Sequence, residues 1–307
     1  IERFEAHKRS NEAWSKRTYA RTGRDLRFLA AKAPDAPIEA VSVMWVHSML
    51  ERMKEAGNAP AYQQSRYNAV AEFLAWCVRR GFLRSNPCER IDKGDKPWCG
   101  KRAKRRMGRG KPQLRNAGEC IAYLATAALL AKPVDRVVTQ LPLRCNLRSG
   151  EVRHLQVGDI DFVAGKLWVR DLEVDDDVDD AWSVKTATSR RSVDLPDAVE
   201  ADLRLLVRGR DETDLVFESN RNPGEAWDRK WLNRRVQRVC REAGVRIICA
   251  HGLRDTYASF MRGEAGQSAP EIGRFLGHAD GGKTATRHYI GEPEHQPALR
   301  LISGGRG

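Results

Sequence analysis

The chain has 307 residues, 41% hydrophobic and 31% charged, which is enough for two domains with cores of their own. Lys and Arg outnumber Asp and Glu by 54 to 41, a formal net charge of +13 that suits a polyanionic partner; the plainer alternative is a surface charged for solubility. No apolar stretch approaches the roughly 20 residues of a membrane helix, and Ile1–Arg9 is too charged for a secretory signal.

The first ninety or so residues read as helices. Ser15–Ala31 opens on a hydroxyl residue and sets Tyr19, Leu26 and Leu29 among basic side chains. Ala40–Ala56 carries a broad apolar stripe that ends at Gly57. Ala61–Arg80 repeats apolar residues at helical spacing, stops at Gly81 and is followed by an Asn86-Pro87 turn. With no strand pattern between them, residues 1–91 form an expected all-helical domain. Lys93–Arg115 then holds ten basic residues against one acid, Asp95. A segment so charged reads as a linker over residues 92–115, either a solvated tether or a strap across a phosphate backbone.

Residues 116–307 form the expected second domain, mostly α with a small antiparallel sheet (α+β). Helical patterns cover Gly118–Ala131 and Val134–Cys145. The β-like runs are Asp159–Phe162, Lys166–Val169, and Ala181–Lys185 paired with Arg191–Leu195. Helical patterns return at Pro196–Arg208, Asp228–Ala243, Leu253–Gly263, Ala269–Leu276 and Thr284–Ile290, with a short strand-like Leu215–Phe217 between. The seven cysteines are scattered without a C-x-x-C pair, which disfavours zinc and fits reduced, mostly buried thiols; Cys99 stands in the basic stretch as a candidate exposed thiol.

Four short stretches carry residues with chemistry. Arg148 and Glu151, three apart in Leu147-Arg148-Ser149-Gly150-Glu151, stand side by side on a helix or turn. That is either an ordinary ion pair or a carboxylate orienting a guanidinium toward phosphate. Arg144 is a rival arginine without a glutamate at the same spacing. Lys185 opens a basic turn that ends in Leu195-Pro196; its ammonium could protonate a departing oxygen. His251-Gly252-Leu253-Arg254 starts a helix near Gly252, whose N-terminal amides favour a phosphate. Last come Leu276-Gly277-His278 and, eleven residues after the histidine, Tyr289. Tyr257, three residues after Arg254 on the same helix, is a rival hydroxyl better suited to the core, and His288 faces away from its neighbour.

In order and wording these stretches resemble the tyrosine recombinases, the phage-integrase family of DNA strand-exchange enzymes. The likeness runs strongly over residues 145–291. Over residues 11–91 it rests on the helical pattern and the Cys77…Asn86-Pro87 ending, similar to the family's core-binding domain. The departures are Cys145-Asn146 where the family often has Thr-Gly, Asp255 where it commonly has histidine, and a histidine-to-tyrosine spacing of eleven rather than nine.

The resemblance implies a core-binding domain and a catalytic domain closing as a C-shaped clamp on duplex DNA. It assigns Arg148, Lys185, His251, Arg254, His278 and Tyr289 as catalytic residues, with Glu151 in support. It implies a 3′-phosphotyrosine intermediate, no metal, ATP or other cofactor, and a homo-tetramer on a specific DNA site that is a monomer without it, with accessory DNA-bending proteins as possible partners. It further implies no membrane partner and a cytoplasmic setting, for a nucleoid or mobile-element protein. Lys16, Arg17, Arg21, Arg24, Arg66, Lys101, Arg102, Lys104, Arg105 and Arg106 are candidate backbone contacts. The tail Gly291–Gly307 bears an apolar group, Ala298-Leu299 and Leu301-Ile302, expected to dock on a neighbouring protomer or to pack on itself. A type IB topoisomerase-like or telomere-resolving enzyme, or a non-catalytic DNA-binding relative, stay open as alternatives.

Overall fold

The computed structural model describes residues 1–10, 16–30, 37–100, 112–170, 190–228 and 230–264; at residues 16–19, 28–30 and 261–264 the description is of the backbone. The chain divides into two compact units, Ile1–Arg109 and Gly110–Gly307. Among the described residues no helix is long and apolar enough to cross a membrane.

In the first unit, α1 (Glu2–Ser10), α2 (Lys16–Ala30), α3 (Val43–Glu55) and α4 (Pro60–Arg79) surround one apolar core. Sequence chemistry sets their ends. Ser42 accepts the Trp45 N–H and starts α3, and Pro60 opens α4 with a backbone angle already helical. Both helices end on a glycine in the left-handed region, Gly57 (φ 67°) and Gly81 (φ 76°). At the second, Gly81 N–H donates to Val78 O and Phe82 N–H to Cys77 O, which satisfies the last carbonyls of α4. The Asn86-Pro87 turn folds back, with Tyr67 Oη donating to Cys88 O at 2.5 Å. The reading missed α1, whose Phe4 is fully buried against Phe73 and Trp76.

Each end of the expected linker over residues 92–115 carries a buried apolar residue. At one end Trp98 is buried in the core of the first unit beside Tyr67. At the other, Leu114 is buried in the core of the second. The charge count hid one apolar anchor at each end of the run. Residues 101–111, with Lys101, Arg102, Lys104, Arg105 and Arg106, lie outside the described residues.

The second unit is built around α6 (Pro133–Arg144), whose Val137, Val138, Leu141 and Leu143 are fully buried. Against it pack α5 (Ala117–Ala128), the short α7 (Ser149–Arg153), α8 (Asp197–Val207), α9 (Trp231–Glu242) and α10 (Ala250–Glu264). Three antiparallel strands, β1 (Ile160–Asp161), β2 (Lys166–Val169) and β3 (Arg191–Asp194), form a sheet in that order. Leu167 and Val169 turn inward while Trp168 is exposed, the alternation that fixes the register Leu167↔Val193 and Val169↔Arg191. The reading gave Ala181–Lys185 as the partner of Arg191–Leu195. In the structure β2 pairs with β3, and residues 181–185 lie outside the described residues. Among the described residues, Leu215 makes a single bridge, to Gln156. Five of the seven cysteines are buried, and Cys99 and Cys249 are half-buried.

Candidate active site

The site is built on the turn between α6 and α7. Asn146 there takes a left-handed backbone (φ 54°), a conformation that asparagine tolerates better than most residues. This turn reverses the chain and leaves the Asn146 carbonyl as an acceptor for Arg254 Nη1 at 2.6 Å. Arg148 then caps α7. Its backbone N–H donates to Glu151 Oε2 at 2.7 Å and its Nη1 to Glu151 Oε1 at 2.7 Å. The three-residue spacing therefore works as expected, with the glutamate gripping its arginine by backbone and side chain together.

Glu151 is the centre of the cluster. Arg254, 108 positions from Asn146 in sequence, reaches it from α10, with Nη1 3.8 Å from Glu151 Oε2. A third arginine, Arg191 on β3, spans the carboxylate with two contacts, Nη1 to Oε1 at 3.0 Å and Nη2 to Oε2 at 2.8 Å. Arg191 Nη2 also donates to Asn146 O at 3.3 Å. Burial alone would raise the Glu151 carboxyl. The hydrogen bonds and charge of Arg191, then the charges of Arg254 and Arg148, outweigh it and hold the group down at about 2. Among the described residues, three guanidinium groups meet at this one carboxylate, and such a cluster of positive charge attracts an anion. Arg148 is the most open of the three, with 28% of its side chain exposed against 10% for Arg191 and 1% for Arg254.

His251 sits at the start of α10 with its ring half exposed, and its Nε2 lies 3.4 Å from Asp255 Oδ1. The residue that departs from the family wording is thus the partner of the histidine, one helical turn on. The helix begins at Ala250, slightly earlier than the reading had it, and the Ala250 N–H is taken by Asn233 Oδ1 at 2.9 Å. That amide serves the fold rather than a ligand. Thr256 Oγ1 accepts the Leu114 N–H at 3.1 Å, which ties the end of the basic segment to the helix bearing His251 and Arg254.

The structure thus brings Arg148, Glu151 and Arg254 together and sets His251 one turn from Arg254 at the head of the same helix. Lys185, His278, Tyr289 and the Gly291–Gly307 tail lie outside the described residues. The rivals stand elsewhere. Tyr257 is buried in the core, where burial pushes its hydroxyl up to about 12. Arg144 donates to Gln140 on its own helix. Arg191 was missed because a basic residue on a short strand carries no local sign of facing inward. The only available hint was its place in the basic stretch after Lys185.

Of the candidate DNA contacts in the first unit, Arg21 and Arg24 are exposed on α2. At Lys16 and Arg17 only the backbone of α2 is described. Arg66 differs from expectation. Its side chain is 12% exposed, its Nε lies 3.3 Å from the buried Asp25, and its guanidinium covers the Tyr62 ring at 4.6 Å. It joins α4 to α2.

The profile of the phage integrase family matches residues 121–294, more than half of the chain, and the protein belongs to that family. Its fold is that of the tyrosine recombinases. The Tn1549 transposon integrase in complex with transposon right-end DNA superposes with a TM-score of 0.70 at 17% identity, covering 94% of this chain and 93% of that one. A lambda integrase dimer bound to a COC′ core site gives 0.63 at 17% identity, covering 94% of each chain. A lambda integrase tetramer bound to a Holliday junction gives 0.64 at 16%, covering 92% of this chain and 77% of that one. At these identities the likeness is one of fold. A search of the curated proteins gave no match.

Proposed function

We propose that this protein is a site-specific DNA recombinase or integrase that cuts and rejoins strands through a covalent 3′-phosphate ester of Tyr289. The observation that supports it most is the meeting of Arg148 and Arg254 on one buried carboxylate. Family membership and fold agree with it.

A DNA phosphodiester is anionic and repels nucleophiles. In this reading Arg148 and Arg254 neutralise its non-bridging oxygens and stabilise the charge that builds on five-coordinate phosphorus. The Tyr289 oxygen attacks phosphorus in line as the bond to the 5′ oxygen breaks. Lys185 gives the departing oxygen its proton, His251 takes the proton of the tyrosine, and His278 hydrogen-bonds the phosphate. The ester conserves the bond energy. Attack by a 5′-hydroxyl from another strand reverses each step, with no call for ATP, a metal or another cofactor.

Exchange between two duplexes takes four protomers, and the tetramer described for lambda integrase on a Holliday junction supports that number. Arg21, Arg24, Lys16, Arg17 and the Lys101–Arg106 run supply contacts to the DNA backbone, while accessory DNA-bending proteins would act on the DNA rather than on this site.

The test uses nicked duplexes built from candidate recombination sites in the DNA that flanks the gene. The wild-type protein is expected to form a denaturant-resistant adduct with DNA that Tyr289→Phe does not form. Intact binding with no adduct from the wild type would favour a non-catalytic binder. Adducts that reseal only within one duplex or one hairpin end would favour a topoisomerase-like or telomere-resolving enzyme.

A further inference from the structure

We propose that Arg191 is a positioning residue of the phosphate clamp: it spans the Glu151 carboxylate and sets the spacing between Arg148 and Arg254 without touching DNA itself. This role rests on the recombinase reading for its reaction and on geometry for its residue.

Arg191 and Arg254 converge on the same two acceptors. Arg254 Nη1 lies 2.6 Å from Asn146 O and 3.8 Å from Glu151 Oε2. Arg191 Nη2 lies 3.3 Å from that carbonyl and 2.8 Å from that carboxylate oxygen, while Nη1 takes the other oxygen at 3.0 Å. Arg148 occupies both oxygens as well, one through its side chain and one through its backbone N–H. An ionised carboxylate offers about four lone-pair positions, and these four hydrogen bonds fill them. Glu151 therefore has one orientation, and Arg254 stays just beyond hydrogen-bond range of it.

If Arg191 is removed, two acceptor positions open. Glu151 can then turn toward Arg254, close that 3.8 Å gap and draw the guanidinium out of place. Lysine could not substitute, because a single ammonium cannot span two oxygens. The strand makes the device stiff: β3 is paired along β2, with Arg191 opposite Val169. With 10% of its side chain exposed and both terminal nitrogens on Glu151, Arg191 is badly placed to meet a phosphate, whereas Arg148 at 28% is well placed.

The experiment measures the single-turnover rate of adduct formation on the same nicked duplexes, together with DNA affinity and the folded fraction. The full chain is used, as wild type, Arg191→Met, Arg191→Lys, Glu151→Gln and the Arg191→Met/Glu151→Gln double variant. The expected result for Arg191→Met is a rate per folded molecule lower by about 100-fold. DNA affinity should stay within about threefold, because it is spread over many backbone contacts. Arg191→Lys should remain at least about tenfold slow. Adding Arg191→Met to Glu151→Gln should slow the reaction by less than about threefold more, since both act through one carboxylate. Wild-type rates from Arg191→Met, or losses that multiply in the double variant, overturn the role. Should the methionine variant not fold, Arg191→Lys carries the same decision, and a wild-type rate from it overturns the role. No adduct from the wild type itself overturns the recombinase reading and this role with it. A Tyr289-dependent adduct with normal Arg191 variants overturns this role alone.

Discussion

Glu151 controls the site through its charge, and that charge has a measurable consequence. Its carboxyl is held at about 2 in the folded protein against an ordinary 4.5. A depressed carboxylate contributes stability that is fully present above pH 4.5 and is lost as pH falls toward 2. The size is on the order of 3 kcal/mol, taking about 1.4 kcal/mol for each pH unit of depression. Urea titrations at a series of pH values should show this fall for the wild type and a flatter profile for Glu151→Gln across the same interval. Asn146 supplies a second test. Its side-chain amide is buried with neither polar atom paired, and its backbone is left-handed. Asn146→Gly should fold as well as the wild type or better, since it removes two unpaired polar atoms and suits the backbone. Asn146→Ala should melt lower than the glycine variant, by about 1 kcal/mol of strain. The sequence made Arg148, Glu151 and Arg254 legible because each sits in a short, worded stretch. Arg191 and Asp255 were not legible: one looked like a surface strand residue, and the other like a neutral departure from a pattern.

The stops at Gly57 and Gly81 were the clearest helix ends in the sequence, because these glycines act on their own neighbours; the starts set by Ser42 and Pro60 were not read there. Packing between elements was not legible. Gly252 looked like the start of a helix, whereas it is the point where α10 meets the Pro112 carbonyl; a Cβ there would run into that oxygen. Gly252→Ala should therefore destabilise the second unit by about 1–3 kcal/mol, read as a lowered melting temperature. It should also slow adduct formation, since α10 carries both His251 and Arg254. An alanine variant with the wild-type melting point would mean that the close approach has no energetic weight. The strand pairing was hidden for a related reason. β3 has two edges, and the local pattern says nothing about which neighbour takes which edge.

The chain as a whole carries its positive charge unevenly, and the Lys101–Arg106 run is where a DNA strap would act. Replacing Lys101, Arg102, Lys104, Arg105 and Arg106 with serine should weaken DNA binding at every sequence. It should also flatten the dependence of log affinity on log salt by about 0.9 for each phosphate contact removed. Anisotropy titrations across a salt series would read this, and an unchanged slope would take the run out of the DNA surface. The two-unit division was visible as a change of composition. Its edges were not, because Trp98 and Leu114 are single apolar residues inside a charged stretch and the cores that bury them are built elsewhere in the chain.

The sequence alone determined most of the described helices, the family likeness and the residues that carry charge or a hydroxyl, since these follow from local periodicity and from short stretches of neighbours. The tertiary structure decided that Arg191 shares Glu151 from 40 positions away, that Arg254 binds the Asn146 carbonyl from 108 positions away, and that Arg66 belongs to a helix contact rather than to a charged face. The physical reason is burial. A guanidinium becomes a clamp, a brace or a surface charge according to which groups lie within about 3 Å of it, and only the packed fold brings those groups together.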